Sequence, residues 1–184
     1  MNPIYDEQQV IALLQEPFTV KQGFEIIVRQ YSEQLYWQIR RMVFDHDDAN
    51  DVLQNAFLKA WINIDKFRGD AKISTWLYRI AFNECLTFIN NKKAESTVCI
   101  DDMEDSEVKS LSSDSYFEGT EAQRLLLDAI KILPEKQRII FNLKYFDDLR
   151  YEEISSILGV TVGALKASYF HAVQKIQKFI QESL

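Results

Sequence analysis

Residues 151–180 read YEEISSILGVTVGALKASYFHAVQKIQKFI. Tyr151 to Leu158 has the apolar spacing of a short amphipathic helix, with Ile154, Ile157 and Leu158 on one side. Gly159 stands where a helix ends in a left-handed residue, a conformation that glycine adopts without steric penalty. Val160 is the apolar residue of a tight turn. The Thr161 hydroxyl is placed to cap the next helix. Leu165, Ala172, Ile176, Phe179 and Ile180 then line one face of a helix running to about residue 180. Helix, glycine turn and capped second helix is the helix-turn-helix arrangement, although an ordinary helical hairpin has the same pattern. Charge points toward nucleic acid. From Ile154 to Gln181 there is no carboxylate, while Lys166, Lys175 and Lys178 are present. Carboxylates facing phosphate would repel it, and each phosphate neutralised by lysine steepens the salt dependence of binding by roughly 0.9 in slope.

Upstream of this stretch the pattern stays helical. Leu125, Leu126, Ala129 and Ile130 give residues 121–132 an apolar side. Pro134 suits the first position of a new helix, since its missing N–H costs nothing there. Ile139, Ile140, Leu143 and Phe146 form that helix's face until Asp147-Asp148 breaks the period. Before residue 121 the composition changes sharply. Residues 94–122 carry nine acids (Glu95, Asp101, Asp102, Glu104, Asp105, Glu107, Asp114, Glu118 and Glu121) against Lys109 alone, and six serines. With no sustained apolar period, the segment reads as a solvated acidic tether. A mimic of nucleic-acid charge is the sharper alternative.

Residues 1–93 are helical as well. A short helix at about 6–15 (Val10, Ile11, Leu14) is expected to stop before Pro17. Phe24, Ile27, Val28, Tyr31, Leu35, Ile39 and Val43 make a second stripe. Val52, Leu53, Ala56, Phe57, Ala60, Trp61 and Ile64 make a third, across a polar turn at residues 45–48. Trp76, Leu77, Ile80, Ala81, Phe88 and Ile89 make a fourth, after Arg68-Gly69-Asp70. This spacing predicts a small antiparallel bundle. From Ala71 to Lys93, Glu84 is the sole acid, among Lys72, Arg79, Lys92 and Lys93. The interleaved Trp76, Tyr78, Phe82 and Phe88 fit either a core or a stacking platform for single-stranded bases.

Composition excludes several classes. The 184 residues hold 28 Asp+Glu against 21 Lys+Arg, a formal net charge of −7, yet only 5 Gly and 3 Pro, which favours helices over a turn-rich β fold. The charge at first argues against a nucleic-acid partner. Residues 94–122 account for −8 of it, however, leaving the flanking halves at −1 and +2. No basic segment followed by an apolar core opens the chain, and no run is apolar for 18 residues, so neither a signal peptide nor membrane insertion is expected. Cys85 and Cys99 are too few for a disulfide framework and fit no zinc spacing. Reduced cytoplasm is the expected setting. With two histidines, His46 and His171, and no phosphate loop, neither catalytic residues nor a metal site nor a cofactor is expected.

Three motifs carry a family resemblance. Residues 48–61, DANDVLQNAFLKAW, resemble the core-polymerase-binding helix of bacterial sigma factors. Residues 67–83, FRGDAKISTWLYRIAFN, resemble the promoter-opening segment that follows it. LPEKQR at 133–138, YEEI at 151–154 and LGVTVGALK at 158–166 resemble sigma region four. Order and short length resemble the extracytoplasmic-function group of the sigma-70 family, which keeps regions two and four only. The implied fold is all-α: a region-two domain at 1–93, an acidic linker at 94–120 and a region-four helix-turn-helix domain at 121–184.

The resemblance also implies partners and sites. Core RNA polymerase would be bound through the clamp helices of its largest subunit, by Asp48, Asp51, Gln54, Asn55 and Leu58, and through its flap. A flipped base of the minus-10 element would be captured by the loop from Phe67 to Thr75. Because unstacking costs a few kcal/mol, that capture needs preformed polar contacts, for which Arg68, Asp70, Lys72 and Ser74 are placed, beside Phe67 and Trp76. Arg79 and Asn83, four residues apart on one helix, would reach phosphate and base edge, although Arg79 also suits a structural ion pair. In the minus-35 major groove the candidates are Thr161, Lys166, Ala167, Ser168, Phe170, His171 and Lys175. Here the chain departs from its relatives, many of which carry arginine at the positions of Ser168, His171 and Val173. A bidentate arginine–guanine pair discriminates by roughly 1–3 kcal/mol, so Lys166 and His171 imply a different readout. The implied activity is promoter recognition and opening by polymerase, without enzymatic chemistry. An anti-sigma factor is a further implied partner, because relatives are often held inactive by one. Two other functions fit the motifs: a free-standing helix-turn-helix regulator, and a sigma-like adaptor or antagonist.

Overall fold

The computed structural model describes residues 6–98 and 120–183. Among them the elements are α1 (Glu7–Gln15), α2 (Val20–Val43), α3 (His46–Ile62), a 3₁₀ turn (Ile64–Lys66), α4 (Ile73–Val98), α5 (Glu121–Lys131), α6 (Glu135–Tyr145), α7 (Tyr151–Leu158) and α8 (Val162–Ser183). The helical reading of both halves holds. Most of the acidic segment, residues 99–119 with Cys99, lies outside the described residues, and α4 runs to Val98, past the residue where the tether was expected to begin.

Local chemistry sets the boundaries. Asp6 caps α1 by accepting from the Gln8 N–H at 3.0 Å. The turn before α2 is closed by the Thr19 hydroxyl, which donates to the Leu13 carbonyl at 2.9 Å. Gly23 lets α1 lie close on α2, since a Cβ there would stand 3.0 Å from Leu13 Cβ. Residues 45–48 were expected as a turn, but only Asp45 lies outside a helix. Its carboxylate accepts from the Asp47 and Asp48 N–H groups at 2.9 and 3.1 Å, so α3 begins at His46. An aspartate at this capping position satisfies donors that would otherwise be orphaned, and two further carboxylates sit favourably in the first turn. Glu7 reaches across from α1 to accept the Ile73 N–H at 2.7 Å, fixing the start of α4. Pro134 is the cap of α6 rather than its first helical residue, with ψ at 143°.

α1 to α4 form the expected bundle. Its core includes Ile27, Leu35, Ile39, Val52, Ala56, Ile73, Leu77 and Phe82, all nearly inaccessible. Tyr78 and Phe82 belong to that core, and Trp76 is partly buried against the Phe67 ring, centroids 5.0 Å apart, so these aromatics pack rather than form an open stacking platform. Cys85 is fully buried and its thiol is pushed up to about 12 by that burial, as expected of an inert core cysteine.

The spacing did not predict the relation between the halves. Ile139, Ile140 and Leu143 of α6, Ile154 and Ile157 of α7 and Leu165 of α8 share one continuous apolar core with α1–α4. In the other direction Phe44, the residue that closes α2, is buried among Leu127, Ile130, Leu133, Phe141, Ala172 and Ile176. Phe44 has φ 62°, a left-handed conformation uncommon for a bulky side chain. Its ring lies under the Arg138 guanidinium at 4.9 Å. The two halves thus meet as α2 on α6 and α4 on α7.

Candidate nucleic-acid interface

The turn between α7 and α8 is built as the sequence implied. Gly159 has φ 67° and donates its N–H to the Ser155 carbonyl at 2.8 Å. The Thr161 hydroxyl accepts from the Ala164 N–H at 3.4 Å, a long capping bond. Leu165, Ala172 and Ile176 hold α8 against the rest of the fold. The opposite side is outward: Thr161, Lys166, Ala167, Phe170, His171 and Lys175 are exposed, and Ser168 is half-buried. Phe170 is 58% exposed with its ring 5.9 Å from that of His171, an unusual outlay of aromatic surface on a helix otherwise well packed. The Lys166 ammonium lies over the Tyr151 ring at 5.7 Å. A helix presenting lysines, an imidazole and an aromatic ring, with no carboxylate on its outward side before Glu182, has the chemistry to enter a major groove.

A second candidate surface lies at the start of α4. Arg68 and Asp70 are exposed on the loop, and Ser74 is half-buried in the helix's first turn rather than on the loop. Phe67 is only 9% exposed. Arg79 and Asn83 both face outward, as their spacing implied. Arg79, however, donates to the Ser156 carbonyl of α7, and Lys72 pairs with Glu153 at 3.3 Å. Further along α4, Lys93 pairs with Glu135 of α6. Glu153 also accepts the Arg150 N–H at 2.9 Å, and that backbone bond, with help from Lys72, holds its carboxyl below the usual range.

The third surface is the outer face of α3. Asp51, Gln54, Asn55 and Leu58 are exposed, and Ile62 extends the patch at 65% exposure. Asp48 is half-buried and pairs with Lys92 at 2.6 Å. Trp61 of α3 packs edge-on against Phe24 of α2, and Ala49, Val52, Ala56 and Ala60 make the fully buried side of α3.

Sequence reasoning missed a buried polar seam between α2 and the end of α6. Arg41 and Asp147 form an ion pair at 3.4 Å, with side chains 14% and 6% exposed. The Arg41 guanidinium also covers the Phe146 ring at 4.4 Å. Gln38 lies alongside both the Asp147 carboxylate and the Tyr78 hydroxyl without good hydrogen-bond geometry to either. Burial pushes the Asp147 carboxyl up, and Arg41 opposes that shift. Arg138 donates to the Met42 carbonyl at 3.3 Å, tying α6 to the end of α2. The one sequence signal was Asp147 itself, which reads as a helix break.

Comparison with known proteins decides what this arrangement belongs to. The family model for Sigma-70 region 2 matches residues 27–95, and that for Sigma-70, region 4 matches residues 123–176. The RNA polymerase sigma-H factor of Pseudomonas aeruginosa is 32% identical over 172 residues, covering 89% of each chain. The chain belongs to the sigma-70 family. Within it, this sigma factor is of the extracytoplasmic-function group. The ECF RNA polymerase sigma factor SigW of Bacillus subtilis is 31% identical, over 89% of this chain and 94% of its own. Two solved structures share the fold. One is the sigma factor RpoE in complex with the anti-sigma factor NepR from Bartonella quintana, with a TM-score of 0.72 at 21% identity, covering 87% of this chain and 98% of that one. The other is CnrH in complex with the cytosolic domain of CnrY, with a TM-score of 0.71 at 18% identity, covering 97% and 99%. As a sigma factor the protein directs RNA polymerase to promoters. Among the described residues no helix is long and apolar enough to cross a membrane, and no group of His, Cys, Asp and Glu is placed to hold a metal ion.

Proposed function

We propose a division of labour among the three surfaces. The outer face of α3, through Asp48, Asp51, Gln54, Asn55 and Leu58, docks on the clamp helices of the polymerase largest subunit, while the region-four half meets the flap. The loop and first turns of α4, with Phe67, Arg68, Asp70, Lys72, Ser74, Trp76, Arg79 and Asn83, take the melted minus-10 strand. Phe67 and Trp76 serve by shaping the wall behind that strand, since both are packed on each other. The outward side of α8, from Thr161 through Lys166, Ala167, Ser168, Phe170 and His171 to Lys175, reads the minus-35 element. In domain terms residues 1–93 bind polymerase and the minus-10 element, 94–120 link, and 121–184 bind the minus-35 element.

The observation that carries this reading is the outward face of α8 behind its glycine turn: acid-free, basic and aromatic, on a helix anchored by three buried residues. The two similar structures are complexes with anti-sigma factors, and we assign this chain a partner of that kind, acting with it in the cytoplasm. The linker's acids would lower unsolicited DNA binding by the free protein. The protein does no chemistry of its own in this scheme.

The test is initiation from a promoter library by core polymerase with and without the protein, read by sequencing the transcripts. Promoter-specific starts that require both are expected. Tight operator binding by the chain alone, with no core-dependent starts, would instead show a free-standing regulator. Core binding without any starts would show an adaptor or antagonist.

A further inference from the structure

We propose that α1 positions the strand-capture loop: Glu7 and Ile11 hold residues 67–72 and the first turn of α4 in the shape that receives the unstacked base. Glu7 is a positioning residue and touches no DNA itself. The proposal rests on the reading of this loop as the minus-10 site. It brings in a helix that the region-two family model, which begins at residue 27, does not include.

A helix opens with N–H groups that have no partner inside it. The residue just before it commonly supplies an acceptor from its own side chain. Before α4 that residue is Lys72, whose carbonyl accepts the Trp76 N–H at 3.1 Å. An ammonium group only donates, and a positive charge is unfavourable at this end of a helix. Lys72 therefore cannot cap α4 with its side chain. The acceptor comes instead from 66 residues away, where Glu7 Oε1 takes the Ile73 N–H at 2.7 Å in a partly buried setting. A carboxylate makes a charge-assisted bond there and complements the helix dipole.

α1 can do this because it is itself fixed. Val10 and Leu14 are buried in one core with Ile64, Phe67 and Ile73. The close approach at Gly23 and the Thr19 bond to the Leu13 carbonyl hold α1 on α2. Glu7 and Ile11 stand four residues apart, hence on one face, and both are half-buried.

Ile11 makes the second contact. Gly69 has φ 79°, and a Cβ there would stand 3.3 Å from Ile11 Cγ2. The loop backbone thus approaches α1 in a conformation and at a distance that suit glycine. One turn of α1 spans the loop, from Gly69 to Ile73. Arg68, Asp70 and Lys72 stay exposed on it, so polar groups offered to a strand project from a backbone held at both ends. Capturing a base already costs its unstacking. A loop ordered in advance adds no further ordering cost to that step.

The experiment compares the full chain as wild type, Glu7→Ala and Glu7→Gln. Hydrogen–deuterium exchange of the free proteins reads the loop without any promoter. Glu7→Ala should speed exchange at residues 69–76 about five-fold, the scale of a lost cap, and leave α2 and α8 unchanged. Glu7→Gln keeps an oxygen that can accept the Ile73 N–H and should stay near wild type. The second readout is a fluorescent single-stranded oligodeoxynucleotide carrying the minus-10 strand of a promoter recovered from the transcript screen. Its affinity for each protein in complex with core polymerase should fall about five-fold in Glu7→Ala and little in Glu7→Gln. Affinities for core and for a minus-35 duplex should not change. A merely structural role would lower all three affinities together and speed exchange throughout α1–α4, which would overturn the proposal. Glu7→Gln as impaired as Glu7→Ala would overturn it too. If Glu7→Ala does not fold, Glu7→Asp, one methylene shorter, takes its place. Arg68→Ala with Asp70→Ala separates the two claims. No loss of oligonucleotide affinity in that variant would sink the minus-10 reading and leave the exchange result standing. A loss there with none in Glu7→Ala would overturn the positioning and leave the reading intact.

Discussion

The surfaces proposed for the minus-35 and minus-10 elements differ in what they touch within the chain. On α8, Lys175, His171 and Phe170 face solvent. At the start of α4, the charged ends of Lys72, just before the helix, and Arg79, within it, rest on α7. The difference lies in what each surface can bind unaided. A major-groove helix meets duplex DNA that already exists, while a melted strand exists only after polymerase has opened the duplex.

The sharpest way to break this contrast is at the buried seam. Arg41→Ala leaves Asp147 with its charge but without its partner, and the loss should be about 3–5 kcal/mol, read by urea unfolding. Replacing both residues together, as Arg41→Met with Asp147→Leu, should restore most of it. A double variant as unstable as the single one would show that the pair itself, not the stranded charge, holds the seam. On the open surface, Thr161→Ala should cost about 1 kcal/mol through the lost cap of α8, weaken minus-35 duplex binding and leave oligonucleotide binding unchanged. Equal effects on both ligands would merge the two surfaces into one.

A milder probe is separation of the faces by function. Lys166→Ala with His171→Ala should alter minus-35 dependence with core binding intact. Asp51→Arg with Gln54→Ala should weaken core binding about ten-fold or more, on the scale of a disrupted interface charge, and leave duplex affinity unchanged. Indistinguishable effects on core affinity would refute the assignment of faces.

The smallest expected effect is on pH. Glu153 has its carboxyl held low, first by the Arg150 N–H and then by Lys72. Its contribution is therefore complete above the ordinary carboxylate range and is lost as pH falls through the depressed value. Stability to urea should fall across that acidic window in the wild type more than in Glu153→Gln. Parallel pH profiles would exclude Glu153 as the titrating group.

How legible was this in the sequence? Individual helices were, because their signals are local. Gly159 and Thr161 act within a few residues of themselves, and the apolar stripes of α2, α3 and α8 repeat at helical period. The outward residues of α8 followed from the same period. The contact between the halves was not legible, since it depends on residues whose local reading points elsewhere. Phe44 follows a helix and precedes a capping aspartate, so nothing nearby shows that its ring crosses into the other half. Asp147 reads as a helix break, and its burial against Arg41 appears only once α6 lies on α2. Ile154 and Leu165 look like the private core of a small helix-turn-helix, yet they belong to a core shared with α4. Asp48 shows a similar limit: its helical position is outward, but Lys92 comes from a helix 44 residues away to engage it.

The most direct test of the contrast is the distance between spin labels at Asp47→Cys and Gln177→Cys, in a Cys99→Ser chain, measured before and after core polymerase is added. A short single distance that lengthens when polymerase binds is the predicted result, because docking and strand capture require α7 to leave α4. An unchanged short distance in a polymerase complex that initiates from a promoter would contradict it.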